Sequence, residues 1–593
     1  MRQNVAYTQL DFAMADFMTD RCGFSDVERV RFNAIVLELS SAQGTGHSCI
    51  ELASEDLFLA SKCRLVYVSS LASSAQTVRP LVLEGTRLYL NRYWQYETRL
   101  VTNISRRIKV KAPSVDNKAL LDKYFPQNKE DIDWQRQAAK YASEQRFTII
   151  TGGPGTGKTT TVLKILALLQ ELFQGGLAIS LAAPTGKAAM RLQQSLQEGK
   201  RDLILKDQDL LDSIPDGVST LHRLLGPINQ STQFRHNASK PLSCDVLVVD
   251  ESSMIDLALM SKLMDALSPS ARLILLGDKD QLASVESGAV LNDLCLSLPE
   301  QTIELQKTWR FSGPIKDLAQ AVNAQLDGEA WAALVRPAPE DHKIIQPEQQ
   351  YSLFEEPHVD EQDDVGSKVK IRESHGETIP KTNINLIGAN WQTHIVEQYQ
   401  PYISQVKSDN NPQAALETFS RFQVLAAIRQ GEFGVEGINR TLERKIHSAQ
   451  MQTHLPWYHG KPVMITRNDP SLGLFNGDVG ICLHDDLSQL RVWFKATDGH
   501  FRAILPARLP QHETVYAMTI HKSQGSEFEH VMIVLPDKPV PLLSKELLYT
   551  GITRAKQCVD ITSSQAVFNF AVNQRVVRNS GIQSKVQASM IDN

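Results

Sequence analysis

The stretch Gly152-Gly153-Pro154-Gly155-Thr156-Gly157-Lys158-Thr159 decides the fold class of this 593-residue chain. It fits the phosphate-loop pattern of a glycine, four further residues, and then Gly-Lys-Ser/Thr. Backbone N–H groups of such a loop surround phosphates, while Lys158 reaches the β- and γ-phosphates and the Thr159 hydroxyl, beside Thr160, binds Mg²⁺. An apolar run precedes the loop and an amphipathic segment follows it, which predicts the strand–loop–helix unit of an ATP site.

One short apolar run precedes this loop and three follow it in the sequence. Each run ends abruptly in a polar or glycine-rich segment. Continuous apolar runs of this length are typical of parallel strands buried on both faces. Because ligands bind at the carboxyl ends of such strands, the sequence predicts an α/β domain with one shared site. The runs are Phe147–Ile150, Leu177–Ala183, Asp245–Val249 and Leu273–Leu276.

Two of these strand ends carry residues suited to ATP hydrolysis. Asp250 and Glu251 follow the third run; Asp250 is a candidate Mg²⁺ ligand and Glu251 a candidate to orient or deprotonate the attacking water. Gln281 follows the fourth run. Its amide can both donate and accept hydrogen bonds, which suits a residue that senses the γ-phosphate. Lys158, Asp250, Glu251 and Gln281 therefore form a predicted catalytic set.

The second half of the chain contains a similar set of apolar runs, which predicts a second parallel α/β domain. Within it, residues 456–510 alternate apolar and polar positions between turn signals, and they predict a small antiparallel β insertion. Between the two domains, residues 346–380 are acidic and poor in apolar side chains, which favours a mobile surface insertion over a functional acidic tail. The runs are Ile384–Ile387, Phe422–Ile428, Val515–Ile520, Val531–Leu535 and Cys558–Thr562.

Residues 1–115 precede the phosphate-loop domain and are predicted to be helical. Val27–Leu39 and Cys49–Ala60 have apolar residues at three- and four-residue spacing. The polar stretch around 112–132 marks the expected boundary. We therefore predict a helical N-terminal domain at 1–115, a first α/β domain at 116–340 and a second at 341–593.

Composition excludes several classes of protein. A length of 593 residues suggests about three to five domains. The net charge of −5 excludes a globally basic coat, so nucleic acid would bind in a local groove. The seven cysteines are scattered without a CxxC pair, which argues against a disulfide framework and indicates the cytoplasm. The sequence contains neither a signal-peptide pattern nor a membrane-spanning apolar run.

Taken together, the motifs resemble those of superfamily-one DNA helicases, and among them the RecD family of exodeoxyribonuclease V subunits. The resemblance implies two RecA-like motor domains with parallel sheets, and a small SH3-like insertion at 456–510. The order and spacing of the motifs match the family across about 430 residues of the chain. The motifs that carry it, besides the phosphate loop, are Asp250–Met254, Gly277–Leu282, Thr308–Arg310, Gly473–Asp478, Thr519–Phe528 and Tyr549–Lys556.

The resemblance also assigns roles around the nucleotide. Gln135 matches a glutamine that reads the adenine edge, although Gln137 is a near-equal rival on spacing alone. Arg310 and Arg554 match arginines that reach the γ-phosphate from the second motor domain, where a guanidinium stabilises developing charge. Two further residues of the last motifs match positions close to the nucleotide, namely Gly525 and Glu527.

Other motifs match segments that contact the DNA strand in this family. Small hydroxyls and backbone amides in such loops hold phosphates without reading sequence. Residues 226–241 lie where the family carries a pin-like hairpin, and a plain surface loop is an equal alternative. The predicted DNA contacts are Pro184, Thr185, Lys187, Thr220, His222, Thr519 and His521.

The resemblance implies an ATP- and Mg²⁺-dependent helicase that moves 5′→3′, because Gln281–Gly288 lacks the aromatic residues of 3′→5′ relatives. It implies a heterotrimer with RecB-like and RecC-like subunits acting at duplex DNA ends, with no nuclease site in this chain. A stand-alone RecD-like helicase is the alternative, but it usually has a longer N-terminal region. A scaffold with an idle motor is a second alternative, which the intact catalytic set disfavours.

Overall fold

The structure is a computed structural model. It describes residues 7–69, 79–110, 117–126, 133–202, 208–284, 287–307, 313–335, 383–447, 456–496 and 499–591. Arg310 and the acidic insertion at 346–380 lie outside these residues. The predictions on them therefore stay predictions.

The N-terminal region combines helices with a small sheet. Helix α1 begins with a capping box in which Thr8 Oγ1 accepts from Asp11 N at 3.3 Å and Asp11 Oδ2 accepts from Thr8 N at 2.8 Å. The strands form a four-stranded sheet in the order β1-β4-β3-β2. The elements are α1 (Gln9–Thr19), α2 (Asp26–Gly44), β1 (Cys49–Glu51), α3 (Ser54–Lys62), β2 (Val66–Ser69), β3 (Leu81–Glu84), β4 (Arg87–Leu90) and α4 (Asn91–Lys109).

The sheet corrects the expectation of a purely helical segment from Cys49 onwards. Cys49–Glu51 is a strand that pairs with β4, and the helix of this segment begins only at Ser54. The strands of this sheet are three or four residues long, which is too short for an alternating pattern to be distinguished from a helical one. The predicted helix within Val27–Leu39 lies inside α2.

The first α/β domain contains a six-stranded parallel sheet in the order β10-β5-β9-β8-β6-β7. Strands β5, β8 and β9 are buried at every position, as their continuous apolar runs predict. The elements are α5 (Lys118–Tyr124), α6 (Trp134–Glu144), β5 (Phe147–Thr151), α7 (Lys158–Leu172), β6 (Ile179–Ala183), α8 (Gly186–Asp202), α9 (Gln208–Asp212), β7 (Ser219–Thr220), α10 (Leu221–Leu225), β8 (Val246–Val249), α11 (Leu257–Ala266), β9 (Arg272–Gly277), α12 (Val290–Ser297) and β10 (Thr302–Glu304).

The second α/β domain contains a five-stranded parallel sheet in the order β11-β20-β19-β12-β18. An antiparallel sheet of five strands, β16-β15-β14-β13-β17, interrupts it at the predicted insertion. The elements are α13 (Pro314–Asn323), α14 (Asp327–Val335), β11 (Asn383–Leu386), α15 (Trp391–Gln398), α16 (Gln400–Ser408), α17 (Pro412–Arg421), β12 (Phe422–Ala426), α18 (Val435–His447), β13 (Lys461–Ile465), β14 (Val479–His484), β15 (Leu490–Lys495), β16 (Phe501–Ile504), β17 (His512–Thr514), β18 (Ala517–Thr519), β19 (Phe528–Val534), α19 (Lys545–Ile552), β20 (Ala555–Thr562), α20 (Gln565–Asn573) and α21 (Ile582–Ile591).

The C-terminal helix α21 leaves the second α/β domain and packs on the first half of the chain. Ile582 and Val586 are buried in the same core as Leu100, Ile104 and Leu294, which belong to α4 and α12. This contradicts the prediction that the last residues of 341–593 fold with the second domain. The helix is too short for its sequence pattern to indicate which domain it packs against.

A buried ionic cluster fixes α21 in this position. The Lys585 ammonium contacts the Glu84 carboxylate and lies 3.2 Å from Glu97 Oε2. Glu97 also accepts hydrogen bonds from Ser48 Oγ at 2.6 Å and from Gly581 N at 3.1 Å. All three charged side chains are at most 7% exposed, so each depends on its partners to compensate its lost hydration.

We predict that Lys585→Met destabilises the protein by about 3–5 kcal/mol, because it leaves two buried carboxylates without their cation. Thermal unfolding followed by circular dichroism measures the effect. Lys123→Met is the matched control, since the Lys123 side chain is 46% exposed and its ion pair with Glu171 contributes about 1 kcal/mol or less. Equal shifts for the two variants would contradict the buried-cluster interpretation.

Candidate functional site

The phosphate loop connects β5 to α7, as its sequence predicts. Gly155 and Gly157 adopt φ angles of +77° and +81°, which side chains other than glycine rarely tolerate. A Cβ atom on Gly153 would lie 2.9 Å from the Tyr549 hydroxyl of α19. The loop therefore requires glycine both for its backbone conformation and for its close approach to the second α/β domain.

Lys158 lies over this loop. Its ammonium donates hydrogen bonds to Gly152 O at 2.7 Å and to Gly153 O at 3.0 Å. Thr156 Oγ1 also donates to Gly153 O, at 2.9 Å. The loop thus holds a cation at the N-terminus of α7, where the helix dipole also favours bound phosphate.

A cavity of about 460 Å³ lies between the two α/β domains, with the phosphate loop in its wall. It brings together most of the residues predicted for the nucleotide, from both halves of the sequence. Predicted residues that line it are Pro154, Gly155, Gly157, Lys158, Thr159, Thr160, Asp250, Glu251, Gln281, Glu527 and Arg554.

The acidic wall of the cavity follows β8. Asp250 N donates to Ala182 O of β6 at 2.9 Å, and Asp250 Oδ1 accepts from Glu251 N at 2.8 Å. Burial and the neighbouring Glu251 carboxylate raise the pKa of Asp250 to about 6. Glu251 itself has a left-handed backbone with φ +51°, a conformation that costs free energy in a residue other than glycine and concentrates at functional sites.

Three hydrogen bonds join the two domains at Gln281 and Leu282, and the one to Gln281 lies in the wall of the cavity. Arg554 Nη2 donates to Gln281 Oε1 at 2.5 Å. Leu282 N donates to Thr550 Oγ1 at 2.9 Å, and Gln524 Nε2 donates to Leu282 O at 2.7 Å. The predicted γ-phosphate glutamine and the predicted arginine finger are therefore direct partners.

Arg554 is almost fully buried at this junction, with 2% of its surface exposed. It also donates to the carbonyl oxygens of Thr550 and Ser526, each at 3.2 Å. Burial lowers its pKa, while the Glu251 and Asp278 carboxylates act in the opposite direction. Arg554 thus donates through Nε and both Nη atoms to acceptors of the protein itself, and a bound phosphate would compete with these acceptors for the guanidinium.

Sequence reasoning missed three charged residues of the cavity, namely Asp278, Arg191 and Glu198. Asp278 accepts from Gln281 Nε2 at 2.9 Å, and burial raises its pKa to about 6 although Lys158 lies near. Arg191 of α8 forms an ion pair with Glu527 and lines the cavity. Asp278 stands inside a motif that the sequence analysis quoted, whereas Arg191 lies one helical turn after Lys187 and has no pattern of its own.

Among the described residues, five predicted nucleotide residues do not line the cavity: the loop residues Gly152, Gly153 and Thr156, and the more distant Gln135 and Gly525. Gln135 is half-buried in the first turn of α6, and its rival Gln137 is exposed. Gly525 has φ +73°, and a Cβ there would lie 3.7 Å from Ala188, which is a cavity residue. The adenine contact of Gln135 and the nucleotide contact of Gly525 stay predictions.

The predicted DNA-contacting threonines lie at the carboxyl ends of strands near one edge of each sheet: Thr185 follows β6, Thr220 ends the edge strand β7, and Thr519 ends the edge strand β18 of the second domain. Each hydroxyl accepts a local backbone hydrogen bond: Thr185 from Ala188 N at 3.2 Å, Thr220 from Arg223 N at 3.3 Å, and Thr519 from Lys522 N at 3.3 Å. The hydroxyl protons stay available to donate.

The insertion approaches this edge at Phe475, next to the Pro184 loop. A Cβ on Gly186 would lie 3.8 Å from Phe475 Cβ. Burial lowers the pKa of Lys187 to about 8, while the Asp478 carboxylate opposes this effect. The segment Gly473–Asp478 therefore lies beside the first predicted DNA loop.

The remaining two predicted DNA contacts are histidines. His222 packs edge-on against Phe234 of the 226–241 segment, with ring centroids 5.7 Å apart. Within that segment Arg235 N donates to Gly226 O at 2.8 Å, and His236 N donates to Leu225 O of α10 at 3.0 Å. Burial lowers the pKa of His521, and the Arg578 guanidinium adds to the effect. A pin function of the 226–241 segment stays a prediction.

The segments that form this cavity resemble known protein families. The family model of the AAA domain matches residues 135–287, and that of the UvrD-like helicase C-terminal domain matches residues 514–561. The RecBCD enzyme subunit RecD of Haemophilus influenzae is 38% identical over 85% of this chain and 81% of its own. The chain belongs to the RecD family. The helicase-type α/β fold and the family resemblance predicted from the sequence are confirmed.

Other similar proteins match this chain over different shares of their own length. The RecD subunit of Mycolicibacterium smegmatis is 36% identical, over 88% of this chain and 86% of its own. The ATP-dependent RecD2 DNA helicase of Deinococcus radiodurans is 30% identical over 85% of this chain and 59% of its own. A solved structure of Pif1 helicases at forked duplex DNA aligns with a TM-score of 0.37 at 15% identity, over 72% of this chain and 92% of that one. As a RecD-family protein with this cavity, the chain is an ATP-dependent DNA helicase.

We predict that Arg554→Ala lowers kcat for ATP hydrolysis by about 10³-fold or more, with a much smaller change in KM, because an arginine finger acts on transition-state charge. DNA-stimulated ATPase kinetics separate the two parameters. Lys158→Gln is the reference for complete loss of turnover. Equal losses in binding and turnover for Arg554→Ala would make Arg554 a ground-state ligand instead.

Proposed function

We propose that this chain is the 5′→3′ motor of a three-subunit helicase–nuclease that acts at duplex DNA ends with RecB-like and RecC-like partners. The observation that carries the proposal is the hydrogen bond from Arg554 to Gln281 across a cavity lined by a complete phosphate loop. A cavity shared by two α/β domains can convert the presence of a nucleotide into relative movement of the domains.

In the proposed reaction, the chain's own residues bind ATP and activate water. Loop amides and Lys158 hold the β- and γ-phosphates, and Glu251 orients the attacking water. Thr159 and Asp250 supply the hydroxyl and carboxylate oxygens that Mg²⁺ prefers, and both line the cavity, so the donor set fits this ion. When bound, Mg²⁺ neutralises charge on the phosphates.

Coupling to movement follows from the partners of Arg554. With a γ-phosphate in the cavity, the guanidinium exchanges its bond to Gln281 for phosphate oxygens. After hydrolysis the Gln281 bond re-forms, and the second domain shifts relative to the first. Because Thr185 and Thr220 belong to the first domain and Thr519 to the second, this shift alters the spacing of the proposed DNA contacts.

The proposed docking surface for a RecC-like subunit lies on the N-terminal domain, residues 1–115. Leu10 and Phe17 of α1 are 74% and 55% exposed, and Val27 and Val30 of α2 are 84% and 73% exposed. Large apolar side chains at this exposure are costly unless a partner covers them. Their spacing on each helix places them on one helical face.

Cytoplasmic location is also proposed. The seven cysteines are all free, and six of them are buried. Among the described residues, none of the helices combines the length and apolar character that crossing a bilayer requires. Free thiols are typical of proteins in a reducing compartment.

The polarity prediction is tested with two partial duplexes that differ only in a 5′ or a 3′ single-stranded tail, each supplied with ATP and Mg²⁺. We expect the isolated chain to unwind the 5′-tailed duplex, because the Gln281–Gly288 segment lacks aromatic stacking residues. Lys158→Gln is the control for ATP-independent strand separation. Unwinding restricted to the 3′-tailed duplex would refute the polarity.

The docking surface is tested by co-purification of tagged protein with its two partner subunits. Val27→Lys combined with Val30→Lys should lower the recovered partners about tenfold or more, because a charge in an apolar interface costs more than about 1.4 kcal/mol. Lys62→Glu on α3 is the control for a charge change elsewhere on this domain. Unchanged recovery, with ATPase intact, would exclude this surface as the docking site.

A further inference from the structure

A cluster of metal-ligand side chains lies in the second α/β domain, outside the nucleotide cavity. Asp560 Oδ2 lies 2.6 Å from His394 Nε2 and 2.7 Å from His530 Nε2. One ligand atom from each residue lies within 4.8 Å of the others. In the part of the chain that the structure describes, no other group of three such side chains meets this condition. Neither the proposed ATP chemistry nor the proposed DNA path uses these residues.

The parallel sheet explains how three distant residues meet. Asp560 of β20 pairs with Asn385 of β11 on one side and with Met532 of β19 on the other. His530 precedes Met532 by two residues, so it lies on the same face of the sheet as Asp560. Helix α15 carries His394 and covers that face. The cluster therefore joins one helix to two neighbouring strands.

The carboxylate at the centre is buried and oriented. Asp560 is fully buried, and Asn385 Nδ2 donates to its Oδ1 at 2.8 Å. This bond occupies the oxygen that faces away from the histidines, and it directs Oδ2 towards them. Orientation of a ligand by a hydrogen bond from outside the ligand set is typical of metal sites.

We propose that His394, His530 and Asp560 bind one Zn²⁺, with water as the fourth ligand. Two imidazole nitrogens and one carboxylate oxygen are ligands that Zn²⁺ accepts, at distances of about 2.0–2.2 Å. The ion replaces the two Nε2 protons that now point at Oδ2. The histidine side chains are 25% and 18% exposed, which gives the ion a route from solvent and gives the rings room to move apart.

The bound ion would cross-link α15 to β19 and β20. Glu527, a cavity residue, immediately precedes β19, and Arg554 immediately precedes β20. A cross-link between these strands therefore stiffens the part of the second domain that presents Glu527 and Arg554 to the nucleotide. The role is structural, because the cluster has no contact with those predicted catalytic residues that the structure describes.

The same contacts also fit a metal-free arrangement in which both imidazoles donate Nε2–H to one carboxylate. Glutamine separates the two interpretations, because its amide nitrogen reaches about as far as Nε2 and donates a hydrogen bond but is a poor ligand for Zn²⁺. His394→Gln and His530→Gln should therefore keep the fold and remove metal binding. Asn385→Ala tests the positioning residue.

The experiment uses the full chain, stripped with a chelator and titrated with zinc chloride by calorimetry, with excess Mg²⁺ present to occupy the nucleotide site. We expect one Zn²⁺ per wild-type chain, a loss of about 100-fold or more in affinity for either glutamine variant, and a loss of about 10–100-fold for Asn385→Ala. His500→Gln, at an exposed histidine of the insertion, should bind as the wild type does.

Thermal unfolding provides the second measurement. Zinc should raise the unfolding temperature of the wild-type chain and leave that of His394→Gln unchanged, while DNA-stimulated ATPase verifies that both proteins are folded. A wild-type chain that binds no Zn²⁺ would overturn the proposal. Glutamine variants that bind Zn²⁺ as tightly as the wild type would also overturn it, since the ion would then bind elsewhere.

Discussion

The hydrogen bond from Arg554 to Gln281 is the interaction on which the nucleotide site depends, because it joins side chains that are 273 positions apart in sequence. Both residues are buried, so neither can exchange its partner for water while the two domains stay in contact. The strain at Glu251 and the raised pKa of Asp250 arise beside the same cavity. A phosphate that competes for Arg554 therefore acts directly on the junction of the two domains.

The chain is held together by a second set of contacts that has no part in hydrolysis. Helix α21 returns from the second α/β domain to α4 and α12, and Lys585 forms ion pairs with Glu84 and Glu97 inside the protein. Arg578, in the segment that leads to α21, donates to Gly288 O at 3.1 Å, close to the end of the Gln281 segment. These contacts of α21 and of the segment before it therefore connect the N-terminal domain with both motor domains.

Local patterns were sufficient for most strands and for the phosphate loop. The runs before Asp250 and Gln281 are strands at nearly the predicted residues, because strands buried on both faces must be apolar throughout. The N-terminal sheet was missed, since three- and four-residue strands carry too little pattern. Arg191 was missed for another reason: an arginine on a helix is ordinarily exposed, and the fold brings this one against Glu527, which lies far away in sequence.

The sequence by itself determined the fold class, the phosphate loop, the acidic pair and the family, because these depend on short segments whose residues are neighbours in the chain. Only the tertiary structure decided which distant side chains meet. Arg554 with Gln281, Lys585 with Glu84 and Glu97, and the His394–His530–Asp560 cluster are each assembled by sheet register and domain packing. No local pattern encodes such pairs, because their energies come from burial and charge compensation between segments that the folded chain brings together.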